Sequence, residues 1–237
     1  MSAVQNRGRT AGLSPLPDHR MLVGRPLLLV IDVQHDFMDP GAPCYNIGAE
    51  DTVAPTAGLI AAFRSAGLPV MFTREAHRSG RVDAGLEADE YAHTLPHTVE
   101  GTPGIEILDA LAPQPGEFVV DKRRYNCFLG TELELLLHLD PVQTLVICGV
   151  SSDICVHWTS GEAFQRDYHV RVVSDCTAGT SIPDHEASLL VLNNLCHGGR
   201  TVVSDDIHRA LAGRRQVLPV QEAAAAQARE ALPVPPA

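Results

Sequence analysis

Along the chain, short unbroken apolar runs alternate with longer stretches in which apolar positions recur every three or four residues. The runs LLLVIDV (27–33), LPVMFT (68–73), EFVVD (117–121), TLVICGV (144–150), HVRVVSD (169–175) and RTVVS (200–204) are predicted to be strands. The first has no polar alternation until Asp32, as expected of a strand covered on both faces. Between the runs, residues 53–66 place Leu59, Ile60 and Phe63 on one helical face, with Gly67 as a stop. Residues 104–111, 130–138, 155–167 and 184–196 also read as helices, and Leu133, Leu136 and Leu137 form the inward face of the third of these five. Alternation of this kind predicts an α/β fold: a six-stranded, mostly parallel sheet with helices on both faces, in three layers α/β/α. In such sheets ligands sit beyond the carboxyl ends of the strands, near the point where strand order reverses.

The pattern weakens at both ends. Residues 1–24 are polar and rich in turn formers, and 214–237 finish in an alanine-rich run stopped by prolines. The expected organisation is therefore an N-terminal tail (1–24), one domain (25–213) and a C-terminal tail (214–237). There is no internal repeat. The formal net charge is −11, with 18 Lys+Arg against 29 Asp+Glu, which argues against a phosphate-tracking, nucleic-acid-binding surface. No segment approaches a bilayer span, and residues 1–24 lack an unbroken apolar core, so the chain is expected to be cytoplasmic, without a membrane partner. Six cysteines (44, 127, 148, 155, 176 and 196) contain no C-x-x-C pair, so free thiols are expected rather than disulfides or a zinc knuckle.

Three polar residues stand at predicted strand ends. Asp32 closes the first apolar run, where a carboxylate needs either a segment to cap or a chemical task, because an unpaired buried charge is costly. Lys122 follows EFVVD; with Arg123 and Arg124 beside it, it also reads as a solvated loop residue. Cys155 falls after the turn GVSSDI, at the start of a helix, where the helix N-terminus favours a thiolate. Cys148, inside its strand, reads as packing. A thiol, a carboxyl and an ammonium together supply a nucleophile, an acid–base group and a charge partner. Backbone N–H groups at the turn are placed to hold an oxyanion.

On the segments LLLVIDVQHDF (27–37), EGTPGIEIL (100–108), VVDKRRYNCFLGTELELLL (119–137) and LVICGVSSDICVHWTSGEAF (145–164), taken in order, the chain resembles the isochorismatase-like cysteine hydrolases. That family includes N-carbamoylsarcosine amidase, biuret and ureidoacrylate hydrolases, nicotinamidases and isochorismatase. The resemblance spans roughly residues 25–210. It implies a Rossmann-like fold, an Asp32–Lys122–Cys155 triad, a cis peptide between Val150 and Ser151, and an oxyanion hole made by the Ser151 and Cys155 amides. It also implies a small-molecule substrate and a homo-oligomer, dimer or tetramer. Phe37 corresponds to an aromatic that packs on substrate in related amidases, or else belongs to the core.

The metal-binding Asp-x-His of nicotinamidases is missing from TREAHRSGR (73–81). His77, His93 and His97 are therefore read as loop residues, and neither a metal nor another cofactor is expected. Residues 74–103 form the longest stretch without clear structure, a candidate specificity loop in which an arginine could read a substrate carboxylate. Trp158 is placed in the core. The expected activity is hydrolysis of a small amide, ureide or carbamoyl C–N bond through a thioester. Vinyl ether hydrolysis of the isochorismatase type and a non-catalytic binding role are the alternatives.

Overall fold

A computed structural model describes residues 16–86, 96–195 and 200–214. Six strands, β1 (Arg25–Ile31), β2 (Val70–Glu75), β3 (Phe118–Lys122), β4 (Val142–Gly149), β5 (His169–Thr177) and β6 (Arg200–Val202), form one sheet in the order 3-2-1-4-5-6. Every pairing is parallel. This order reverses between β1 and β4, which sets the switch point there.

The helices are α1 (Asp18–Met21), α2 (His35–Met38), α3 (Glu50–Ser65), α4 (Leu133–Leu139), α5 (Cys155–Gln165), α6 (Ile182–Leu195) and α7 (204–214). Alternate residues of the strands feed two separate cores. Leu28, Val30, Phe72 and Val146 pack with Leu59 and Phe63 of α3 and with Ile207 and Leu211 of α7. Leu27, Leu29, Ile31 and Ile147 pack with Leu133 and Leu137 of α4, Val156 of α5 and Leu189 of α6. The sheet is thus buried on both faces, the physical reason why β1 is an unbroken apolar run. Among the described residues no helix is long and apolar enough to cross a membrane.

The predicted strands and four of the five predicted helices are present within a few residues. The helix expected over 104–111 is not. Its residues form two short 3-10 turns, Pro103–Ile105 and Asp109–Leu111, and between them the backbone bonds to the segment after β1. His35 N–H donates to Glu106 O at 3.0 Å and Leu108 N–H to Val33 O at 3.0 Å, so these groups are not free for helical bonding. α7 carries Ile207, Ala210 and Leu211 at helical spacing and was absent from the expectation, which ended with a strand at 204. Residues 16–24, read as the end of a tail, pack on the body: Met21 and Leu22 are buried, and Arg171 donates to the carbonyls of Arg20 and Met21. The alanine-rich run near the C-terminus lies outside the described residues.

At the switch point β1 and β4 approach very closely. Gly149 sits at φ +104°, and a Cβ there would stand 2.0 Å from Ile31 O, so only glycine fits. The following peptide, Val150–Ser151, is cis.

Candidate active site

Four neighbouring strands deliver one chemical side chain each at their carboxyl ends. From the edge inward, β3 ends on Lys122, β2 on Glu75, β1 leads into Asp32, and the loop after β4 leads into Cys155. All four are buried. Lys122 is their hub. Its Nζ lies 2.7 Å from Asp32 Oδ2, 3.2 Å from Glu75 Oε2 and 3.4 Å from Cys155 Sγ. Glu75 Oε2 stands 4.0 Å from the same sulfur. The structure therefore brings together Asp32, Lys122 and Cys155, and adds a second carboxylate that the sequence reading placed in a loop.

Local structure fixes these groups. Asp32 adopts φ +51°, turning its carboxyl back over the strand ends, and Thr73 Oγ1 donates to its Oδ1 at 2.7 Å. Glu75 is clasped through its backbone by buried Gln34. The Gln34 Nε2 donates to Glu75 O at 2.8 Å, and its Oε1 accepts from Glu75 N–H at 2.9 Å. Gln34 is a second residue that sequence reasoning missed.

The electrostatics separate the two carboxyls. Burial pushes Asp32 above its ordinary value; Lys122 offsets this in part and the charge of Glu75 adds to it. Burial would also raise Glu75, but Lys122 and two nearby imidazoles outweigh it and hold Glu75 well below the usual carboxylate range. Lys122 loses to burial and gains more from Asp32, Cys155 and Glu75, so it stays charged. Burial drives the Cys155 thiol well above its ordinary value, by more than Lys122 lowers it. At the helix start, burial and the charges of Asp32 and Glu75 thus oppose the thiolate, and Lys122 favours it.

The expected oxyanion donors lie at the adjacent turn. Among the described residues, neither the Ser151 nor the Cys155 N–H meets a protein acceptor, whereas Ile154 and Val156 N–H both donate to Ser151 O, at 3.1 and 3.0 Å. The carbonyl of Ser152 accepts from Ser188 Oγ at 2.7 Å, which ties the loop to α6.

His77 and His97 are not solvated loop residues. His77 is fully buried and His97 nearly so, because the returning chain pairs with the segment after β2: His77 N–H donates to Thr98 O and Glu100 N–H to His77 O, each at 2.8 Å. Both imidazoles turn Nε2 to Glu75 Oε1, at 3.4 and 3.3 Å. Glu75-x-His77 thus occupies the place of the missing Asp-x-His, one methylene longer. The donor atoms of Glu75, His77 and His97 all fall within 4.8 Å of one another. Ligands at about 2.1 Å from a shared ion stand roughly 3.0–3.4 Å apart, so a carboxylate with two imidazoles at these separations fits a divalent cation. His93 lies outside the described residues.

These groups open onto a cavity of about 670 Å³. Cys155, Ser151, Glu75 and His97 contribute to its wall, with Phe37, Tyr45, Tyr125 and Trp158 around them. Phe37, on α2, is buried, and its ring centroid lies 5.9 Å from that of His97. Trp158, expected in the core, is instead 60% exposed at the cavity.

A doubly covered parallel sheet with a thiol, two carboxyls and an ammonium at its switch point is a three-layer α/β fold with a candidate catalytic cluster. Residues 26–206 match the Isochorismatase domain, and the chain belongs to that family. It is 32% identical over 170 residues to maleamate amidohydrolase of Pseudomonas putida, covering 72% of this chain and 80% of that protein. It is 31% identical over 169 residues to a ureidoacrylate amidohydrolase of Methylobacterium radiotolerans, covering 63% and 66%. Among solved structures, a cysteine hydrolase from Pseudomonas syringae pv. phaseolicola superposes with TM-score 0.73 at 26% identity, covering 85% of this chain and 96% of that one.

Proposed function

We propose that the chain is a cysteine-dependent amidohydrolase that cleaves the C–N bond of a small amide, ureide or carbamoyl compound through a thioester. The observation that carries the reading is the contact of Lys122 Nζ with both Cys155 Sγ and Asp32, buried behind a cavity whose wall includes Cys155. The amidohydrolase relatives support the bond class.

Asp32, made more basic by burial, takes the thiol proton as sulfur attacks the carbonyl carbon. The Ser151 and Cys155 N–H groups hold the oxyanion that forms. Protonated Asp32 then gives its proton to the leaving nitrogen, the C–N bond breaks, and ammonia or an amine departs. Water enters, loses a proton to Asp32 and attacks the thioester. The C–S bond breaks and Asp32 returns the proton to sulfur, so amide and water become acid and amine. Lys122 steadies the negative charge as it moves between oxygen and sulfur. Phe37 packs on the bound acyl group. Glu75, His77 and His97 would hold a divalent ion, which when bound supplies a Lewis-acid anchor beside the carbonyl.

Ammonia release across a panel of small amides and ureides, with Cys155→Ala as blank, tests this. Turnover above blank, and an acyl adduct on Cys155 by mass spectrometry, are the expected results. Undiminished turnover in Cys155→Ala would reject the reading, as would pyruvate release from a vinyl ether substrate without ammonia release from any amide.

A further inference from the structure

Given that amidohydrolase reading, the cavity restricts which acyl group can enter. Its described lining is mostly apolar and includes four aromatic residues, Phe37, Tyr45, Tyr125 and Trp158, but no lysine or arginine. The charged group on the wall is Glu75. Lys122 is fully buried behind it and already serves Asp32 and Glu75. His97 faces the cavity but turns Nε2 to the Glu75 carboxylate, so any positive charge on the ring is matched there.

Three arginines in or beside the candidate specificity loop are engaged elsewhere. Arg74 is bound to Asp121 at 2.8 Å, and Arg123 to Asp83 at 2.7 Å and Glu100 at 2.8 Å. Arg124 donates to the carbonyls of Asp83 and Arg123. Near the opening, Thr180 is bound by the carboxylate of Asp153, and Tyr45 donates to Glu50. With no ion bound at Glu75, His77 and His97, a substrate carboxylate entering here would meet the Glu75 carboxylate and no lysine or arginine among the described lining residues, an unfavourable like-charge encounter in a partly desolvated cleft.

Trp158 lies one helical turn after Cys155, on the same face of α5. An indole 60% exposed at the rim of an apolar cavity offers a large flat face to whatever occupies it. We infer that the substrate's acyl half is uncharged and apolar, that Trp158 packs against it, and that amides bearing a carboxylate are discriminated against.

The chain holds a single tryptophan, so its fluorescence reports on this position alone. The matched probes are 4-methylpentanamide and succinamate, which present an isopropyl group and a carboxylate of similar size at the same distance from the amide. After dialysis against a chelator, binding is measured on Cys155→Ala by tryptophan emission and by calorimetry, and ammonia release on the unmutated enzyme and on Trp158→Ala. The neutral amide should shift the emission and bind at least about tenfold more tightly than succinamate, the value of about 1.4 kcal/mol of apolar contact. Trp158→Ala should raise KM for the neutral amide by about tenfold, with kcat within about twofold.

Equal or tighter binding of succinamate would overturn the inference. So would calorimetric binding of the neutral amide without any change in emission, or an emission that shifts with protein concentration and not with ligand, which would mean that a second copy covers the indole. Because the binding arm uses a protein that cannot turn over, failure of the unmutated enzyme to release ammonia would reject the proposed function while leaving the binding preference to be judged separately.

Discussion

Asp32 and Glu75 share one ammonium, Lys122 Nζ, at 2.7 and 3.2 Å, yet burial and charge drive their carboxyls in opposite directions. Asp32 rises and Glu75 falls well below its ordinary value. Two buried carboxyls with separated affinities for protons support the proposed acid–base assignment, in which Glu75 would be the standing anion and Asp32 the group that accepts and returns a proton.

This assignment fixes the acid limb of the pH profile. The base form of Asp32 is required, and its pKa is raised, so kcat/KM should fall with acid at a pH above the ordinary aspartate value of about 4. Measured after dialysis against a chelator, so that no ion adds charge beside Glu75, the limb should sit above that value. Asp32→Asn should lower kcat/KM by about a thousandfold or more and leave no acid limb of this origin. A limb at pH 4 or below would reject Asp32 as the base.

Removing the ammonium should be costlier to the fold than removing the thiol. Lys122→Met leaves two buried carboxylates without their common partner, and breaking such a pair from one side costs about 3–5 kcal/mol. In the variant both carboxyls bind protons more readily folded than unfolded, so its stability should increase as pH falls from 7 towards 5, narrowing the deficit. Urea unfolding at the two pH values measures this. Cys155→Ala, with no charge stranded, should lose about 1–2 kcal/mol at most. A Lys122→Met protein as stable as the parent at pH 7 would contradict the paired arrangement.

What the sequence made legible follows from the geometry of strands. Apolar runs end where the sheet ends, so Asp32, Lys122 and Cys155 could be found by asking which polar residue follows each run. Glu75 was missed because the second run seemed complete at Thr73. In the structure β2 continues by two residues and pairs Glu75 with Lys122 in register. That pairing depends on the neighbouring strand, which no local pattern encodes. The His97 position was beyond reach for a related reason, since it depends on a return segment that bridges Val99 to His77. Trp158 was assigned by its apolar character alone, and the cavity that exposes it is lined by segments far apart in the chain. The helix expected over 104–111 failed because hydrogen bonds to residues 33–35 displaced the helical ones.

The histidines give the last prediction. His77 and His97 both aim Nε2 at Glu75 Oε1 in a buried pocket, a donor set of one carboxylate and two imidazoles with room for exchangeable ligands on the cavity side. Such a set suits zinc, manganese or iron better than calcium, which prefers oxygen ligands. The expected result is one divalent transition-metal ion bound per chain, detected by elemental analysis after reconstitution and by calorimetric titration of the chelated protein. Deleting one of three ligands should weaken binding steeply, so His77→Ala and His97→Ala should each lower the affinity at least about a hundredfold. Stoichiometry well below one in the parent protein, or affinity unchanged in both histidine variants, would show that the cluster serves only to orient and stabilise the Glu75 anion.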